Sequence, residues 1–398
     1  MSALKGIRIL DLTHMLSGPY CTMMLADLGA DMIKIEPPHK GEGTRRLLEK
    51  DPKNSFKGMG AYYMTLNRNK KSVTLNLKSE EGLDLFYQLV QTADVVIDNF
   101  SVGVTERLKI DYAHLCQINP LIITASITGF GQTGPGKNRV AFDMVAQAAG
   151  GGMSITGHPN TPPTRAGIPI GDLGGGVMGI IGVLSALVAR NQTGQGQHVD
   201  LSMQDAQISL LNYMATMYFL SEEIPSQIGN AHFAHVPYDT FEVEDGYIII
   251  AVITDQFWQT LLTVIPLSHL DTEENKTAPG RIKNRDQIMH DLSAILKTKT
   301  QHYWLDLLVK ARIPCGPVNN FKQALTDPHV IAREMIVQVP HPKGGEMTMI
   351  GNPIKLSKTQ TESYTAPPLL GQHNYSILVD ELGLDSSRLE QLKEQGII

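Results

Sequence analysis

An α/β fold with a parallel sheet, followed by a second and smaller α+β unit, is the architecture the sequence predicts. Three observations carry it. Strand-like and helix-like segments alternate through the first half of the chain, and the first two strands are joined at the spacing of a βαβ crossover. From about residue 222 the character changes to strands interspersed with charged helices. The 398 residues suffice for two domains and a large core.

Ile7–Asp11 reads as a buried strand. Ser17-Gly18-Pro19 opens a helix, with Pro19 just inside it, which carries Cys21 to Leu28 and stops at Gly29. Met32–Glu36 is the next strand, ended by Pro37-Pro38. Glu36 sits where a ribose-binding acid stands in dinucleotide folds. The turn from Asp11 to Pro19 lacks the glycine fingerprint, however, which disfavours a nicotinamide dinucleotide. Ser72–Leu77 is a short strand, and Ser79 caps a helix with Glu80 and Glu81 in its first turn. Ala93–Asn99 and Leu121–Ser126 are further strands, with an Asp111-led helix between them. A glycine-rich loop, Thr128–Gly136, precedes a helix-like segment, Phe142–Ala149. Gln197–Met203 is strand-like, and Gln204–Leu220 reads as one long amphipathic helix. In the second unit Tyr247–Val252 is a strand, Ile282–Lys297 and Gln301–Lys310 are helices, and Ile313–Asn319 is a loop leading out. Asn374–Leu382 and Ser387–Gln395 carry the last patterns.

Composition narrows the function. A net charge of -6 leaves no basic footprint, so nucleic acid is not an expected partner. No apolar run approaches a membrane span without charges or many glycines, so no membrane partner is expected either. The N-terminus leads directly into a strand without a signal-peptide pattern. Cys21, Cys116 and Cys315 lie far apart and match neither disulfide nor zinc spacing, which fits a reducing, cytoplasmic setting. His232 and His235 form the one close histidine pair of note. They lack a cysteine or glutamate partner in a metal pattern, so no metal is expected.

The most informative stretch runs from Arg165 to Gly176. It sets Asp172 between Gly171 and, one residue on, the run Gly174-Gly175-Gly176, ahead of an apolar segment long enough for a buried helix. This places Asp172 at or just before a helix N-terminus, beside bare N–H groups and the positive end of the dipole. A carboxylate held there stays ionised at neutral pH and can serve as a nucleophile. Two other readings stand beside it. Aspartate is a favoured N-cap. Gly174-x-Gly176-x-x-Gly179 also matches a dinucleotide loop in form, although Pro169 leaves a poor strand in front of it.

Several ordered motifs resemble the class III CoA-transferases, the group that includes formyl-CoA transferase and the carnitine CoA-transferases. They are Leu10-Asp-Leu-Thr with Gly18-Pro19, Leu28–Glu36, Asn67–Ser72, Asp98-Asn-Phe100, Gly129–Pro135, Gly171-Asp172, Thr193–Gly196, Asp245–Tyr247, Ile313–Pro317 and Pro368–His373. The resemblance runs nearly end to end. It implies that Asp172 is the nucleophile, forming first an aspartyl–acyl anhydride and then an aspartyl-CoA thioester. It also implies that no tightly bound cofactor or metal is needed, coenzyme A entering as part of the substrate. Each step develops an oxyanion that needs aimed donors, and the N–H groups of Gly174, Gly175 and Gly176 are candidates. Asn99, Phe100 and Arg107 fall in the CoA-contacting segment, Arg107 being suited to a phosphate. Lys70 and Lys71 are further phosphate candidates. Asp143 matches a family acid and is expected to orient groups near Asp172.

The same resemblance implies a Rossmann-like large domain made of residues 1–221 and 330–398, a small α+β domain at 222–329, and an interlocked homodimer. It extends to the α-methylacyl-CoA racemases, whose proton transfer needs an acid and a base. Those enzymes carry a histidine just before the Asp143 position, where this chain has Phe142, and His14 is the remaining candidate base. A non-catalytic CoA-binding subunit is a further alternative, against which the presence of Asp172 speaks. Leu16 stands where formyl-CoA transferase has a glutamine, and the small domain lacks the tetraglycine loop of that enzyme. The chain is closer to the branch using succinyl-CoA and dicarboxylates, for which Arg165 and Arg139 are candidate clamps on the second carboxylate.

Overall fold

A computed structural model describes residues 2–361 and 363–398. The chain divides into two units. The larger comprises residues 1–152, 165–216 and 329–398, and the smaller comprises 153–164 and 217–328. Residues 153–164, assigned to the large domain from sequence, thus cluster with the smaller unit.

The larger unit is built on six parallel strands: β1 (Arg8–Asp11), β2 (Asp31–Glu36), β3 (Lys70–Thr74), β4 (Val95–Asp98), β5 (Ile123–Thr128) and β6 (His198–Ser202). Their spatial order is β3-β2-β1-β4-β5-β6. The parallel sheet is the one the sequence pattern predicts. β1 and β4 are neighbours although two strands separate them in sequence, so the winding reverses between them. In open α/β sheets the crevice outside the carboxyl ends of such a strand pair is where ligands bind. Leu10, Ile33, Val73 and Val96 pack on one face with Phe86 and Leu89, and Ile9, Met32, Val95 and Ile123 pack on the other with Leu25 and Val183. The C-terminal segment returns to the free edge of the sheet. His373 donates its N–H to the Ser72 carbonyl at 2.9 Å, and its Nδ1 accepts from the Ser72 N–H at 3.0 Å.

Three helices matter for the site: α1 (Ser17–Asp27), α2 (Asp143–Ala149) and α3 (Ile170–Thr193). By length and apolar composition α3 is able to cross a membrane, which the sequence reading did not anticipate. In the larger unit its glycines lie against α1 and the sheet. A Cβ on Gly176 would stand 2.8 Å from the Ser17 carbonyl oxygen, and one on Gly179 would stand 2.8 Å from Ile127. The glycines therefore let α3 approach to backbone contact.

Other elements differ from the sequence reading. The predicted helix Gln204–Leu220 is two helices, Met203–Leu211 and Tyr213–Ser221, broken at Asn212 with φ 51°. The predicted Ile282–Lys297 helix is also two, Ala278–Lys283 and Arg285–Leu296. Cys315–Pro317, read as loop, pairs as a strand with Gly246–Ala251, which also pairs with Tyr238–Val243. That antiparallel sheet and its helices enclose the smaller unit's core of Phe241, Ile250, Trp258 and Trp304.

Candidate active site

Where the winding reverses, a cavity of about 580 Å³ opens in the larger unit. It is lined by the loop after β1 (His14 to Ser17), the segment after β4 (Asn99 to Val102), the end of β5 and its following loop, the start of α2, Tyr62, Arg165 and Asp172. Eight residues singled out from sequence therefore share one cavity: His14, Leu16, Asn99, Phe100, Arg139, Asp143, Arg165 and Asp172.

Asp172 is not the N-cap. Helix α3 begins at Ile170 after Pro169, which puts Asp172 third in the first turn. Its side chain is half-buried and, among the described residues, accepts no hydrogen bond. Burial first, and the nearby Asp143 charge second, push its pKa up to about 6. The sequence reading anticipated helix-end stabilisation of the anion. The structure instead gives a carboxylate that ionises less readily than usual but is still mostly charged at neutral pH.

The N–H groups that were expected to face a ligand are occupied. Asp143 Oδ1 accepts from the Gly171 N–H at 2.8 Å and from the Asp172 N–H at 3.2 Å, so a side chain from α2 caps α3. The N–H groups of Ile170 and Leu173 bond to Ile168 and Pro169 carbonyls. Gln147 donates to Asp143 Oδ2 at 2.8 Å and holds the capping carboxylate in place. Gly171 is required by this contact, because a Cβ there would stand 2.6 Å from the Asp143 carbonyl oxygen. Gly174, Gly175 and Gly176 lie inside the helix, buried, where N–H groups are spent on the helical ladder. Their assignment as oxyanion donors is therefore corrected, and packing is their role.

A free donor at the cavity lies instead at Ser17, where α1 starts. No side chain caps that helix. The N–H groups of Ser17 and Gly18 have no partner among the described residues, and neither has the buried Ser17 hydroxyl. Sequence reading missed this because nothing in Leu16-Ser17-Gly18 advertises an uncapped start.

The loop leading there is held from below. The Asn99 side chain accepts the His14 N–H at 2.8 Å and donates to the His14 carbonyl at 2.7 Å. Asp98 beneath it accepts from Ser126 and from the Phe100 N–H. His14 lies 5.5 Å from the Phe100 ring. Burial, then the Lys34 charge, lower its pKa to about 4, so the imidazole is neutral at physiological pH. Tyr62, which the sequence reading did not select, also lines the cavity, and burial followed by the Asp172 charge raises its pKa.

Three cations stand elsewhere. Lys70 is not available to a phosphate. Its side chain is 0 % exposed, and its ammonium bonds to Asp11 Oδ2 at 2.9 Å and Thr22 Oγ1 at 2.8 Å. The motif around it is thus structural. Lys71 pairs with Asp31 at 2.7 Å and does not line the cavity. Arg107 is exposed on the short helix Val104–Leu108, also outside the cavity lining, with no ion pair among the described residues. Within the cavity Arg139 stacks over Phe130 at 4.1 Å, and Arg165 is exposed. Among the described residues no group of three His, Cys, Asp or Glu side chains is placed to hold a metal.

Asp172 and Ser17 at the uncapped start of α1 thus line one cavity at the switch point of the sheet. Residues 4–374 match the model of CoA-transferase family III, and the chain belongs to that family. It is a CoA-transferase. It is 38% identical over 391 residues to a succinyl-CoA:mesaconate CoA-transferase of Haloarcula marismortui, covering 97% of this chain and 98% of the relative. It is 34% identical over 397 residues to a succinyl-CoA:glutarate CoA-transferase of Homo sapiens, covering 99% and 90%. The crystal structure of a CAIB/BAIF family protein from Brucella suis superposes with a TM-score of 0.84 at 35% identity, covering 95% of this chain and 99% of that one.

Proposed function

We propose that this CoA-transferase moves CoA from succinyl-CoA to a dicarboxylic acid, with Asp172 as the nucleophile. The observation that carries the reading is a half-buried carboxylate that, among the described residues, has no hydrogen-bond partner, lining the cavity with its pKa pushed up to about 6. A carboxylate that no donor satisfies keeps its lone pairs for an electrophile.

Asp172 attacks the donor thioester, the C–S bond breaks, and an aspartyl–acyl anhydride and CoA thiolate result. The thiolate attacks the aspartyl carbonyl, giving aspartyl-CoA and the free donor acid. The acceptor carboxylate attacks that thioester and releases thiolate. The thiolate then takes the acceptor acyl group from the new anhydride and restores the Asp172 carboxylate. Each addition places negative charge on a carbonyl oxygen, and the free N–H of Ser17, which lines the cavity, is a donor for it. Neutral His14 and the Phe100 ring form the wall along the thioester. Arg165 and Arg139 are the cations for the acceptor's second carboxylate. Arg107 is kept for a CoA phosphate at the surface.

The two named relatives that use succinyl-CoA and a dicarboxylate support this choice of substrates. The proton-transfer alternative lacks support at Phe142, which has no titratable group where a racemase needs one. An interlocked, cytoplasmic homodimer remains part of the proposal. Ile208, Leu210 and Tyr213 are exposed apolar residues that a partner chain would cover, and sedimentation tests the state.

The deciding experiment incubates the enzyme with succinyl-CoA alone and reads the Asp172 peptide by mass spectrometry. A CoA adduct on Asp172 is expected, and an adduct on another residue, or none with turnover intact, rejects the nucleophile. A panel of acids then sets the acceptor. Arg165→Ala is expected to raise the acceptor KM, and an unchanged KM removes Arg165 from the clamp.

A further inference from the structure

Beneath the oxyanion loop lies a charge cluster sealed from water. Asp11 ends β1 and Lys34 is its register partner on β2. Lys70 begins β3. The three side chains are 0 % exposed, and both ammonium groups face one oxygen, Asp11 Oδ2, at 3.6 Å from Lys34 and 2.9 Å from Lys70. Both buried cations thus contact one carboxylate, while the buried Glu36 and Glu42 carboxylates act on Lys34 and Lys70 through space. Lys34 is the less closely paired of the two, an expensive arrangement for a buried charge unless its ammonium has a further task. Lys70 has Asp11, Thr22 and the Pro19 carbonyl. Lys34 donates its one hydrogen bond elsewhere, to the Thr13 carbonyl at 2.7 Å.

Thr13 opens the loop that ends in the free N–H groups of Ser17 and Gly18. Its other polar groups are fixed as well: its N–H and hydroxyl both donate to Asp11 Oδ1. The next residue is clamped by Asn99. Met15 then adopts φ 65°, a left-handed conformation that a non-glycine residue keeps only when its surroundings hold it there. Lys34 is the cation that bonds a loop carbonyl, while Lys70 holds Asp11 beneath it and the Pro19 carbonyl beyond. We propose that Lys34 is a positioning residue of the transfer reaction: its buried ammonium fixes the Thr13 carbonyl and thereby aims the Ser17 N–H and His14, which line the cavity, at the reacting thioester. His14 reports the same arrangement. Burial and Lys34 lower its pKa, against Asp11 and Glu36, which raise it.

This inference rests on the assignment of the cavity as the transfer site, and its test has one readout that needs no turnover. Lys34→Met leaves Asp11 paired one-to-one with Lys70, so the variant is expected to melt close to wild type. Its kcat is expected to fall by about 10- to 100-fold with the acyl-CoA KM moving less than about threefold, the pattern of misaimed rather than missing binding groups. The His14 ring, followed by NMR with labelled histidine, is expected to titrate at clearly higher pH in the variant than in wild type. If Lys34→Met does not fold, Lys34→Gln, one bond shorter but polar, carries the same expectations. A folded variant whose kcat stays within about twofold of wild type overturns the proposal. So does a loss carried entirely by KM, a loss that disappears when activity is scaled to the folded fraction, or an unmoved His14 titration. Failure of the CoA adduct to form on Asp172 in wild type instead overturns the nucleophile while leaving the His14 result standing.

Discussion

Two aspartates of the larger unit sit in opposite circumstances. Asp11 is fully buried and accepts from Thr13, Thr22 and Lys70. Burial opposes its ionisation, yet Lys34 and Lys70 hold its pKa well below the ordinary carboxylate range. Asp172 is half-buried, accepts nothing among the described residues, and has its pKa pushed up to about 6. Both follow from the same rule, that a carboxylate's readiness to react depends on what already occupies its oxygens. The first is spent on the fold. The second is left unspent at the cavity.

The sharpest way to break that contrast is to neutralise each in turn. Asp172→Asn is expected to reduce turnover by at least about a thousandfold while acyl-CoA still binds, read by steady-state kinetics and calorimetry. Asp11→Asn is expected to act on stability instead, costing about 3 to 5 kcal/mol in chemical denaturation, because it leaves two buried ammonium groups without their anion. Equal losses of activity per folded molecule in the two variants would erase the distinction.

A smaller effect is expected at Gly171. An alanine there would push against the Asp143 backbone and carboxylate, at 2.6 and 3.0 Å, and tilt the start of α3. A fall in kcat of about tenfold per folded molecule is expected together with a lowered melting midpoint, because the atom in the way is backbone. Smaller again is the response to pH. Turnover should fall as pH drops through about 6, where Asp172 gains its proton, and the midpoint should move down in Asp143→Asn, which removes the neighbouring charge. The stability sign is the reverse of the usual carboxylate. The folded pKa lies above the ordinary 3.8, so the contribution to stability is complete below that value and is lost as pH rises through about 6. Asp172→Asn should therefore raise the melting midpoint at pH 8 and leave it nearly unchanged at pH 4; a gain at pH 4 as large as at pH 8 would contradict this.

The sequence made the first βαβ unit readable because apolar runs, Pro19, Gly29 and the Pro37-Pro38 stop all pointed the same way. Asp172 was readable through its glycine setting and the family resemblance. What stayed hidden is long-range. The cap on α3 comes from Asp143, 28 residues before the nearer N–H it holds, and no local pattern announces it. Lys70 looked like a phosphate ligand because a lysine in a polar motif gives no sign of where β3 will bury it. The glycine run was read as a source of oxyanion donors because close packing against α1 exists only once both helices are in place. The break at Asn212 was missed because apolar periodicity carries across it.

The edge of the sheet at β3 has a consequence for how the chain is made. Ser72 meets His373 and Thr74 meets Asn374, pairs separated by 301 and 300 residues. A ribosome releases residue 74 long before residue 374, and domains fold as units while synthesis proceeds. The smaller unit, whose last segment ends at residue 328, is complete while this strand edge still waits for its cover. During that interval the exposed edge is open to pairing with another nascent chain, so the period of greatest aggregation risk falls late in translation.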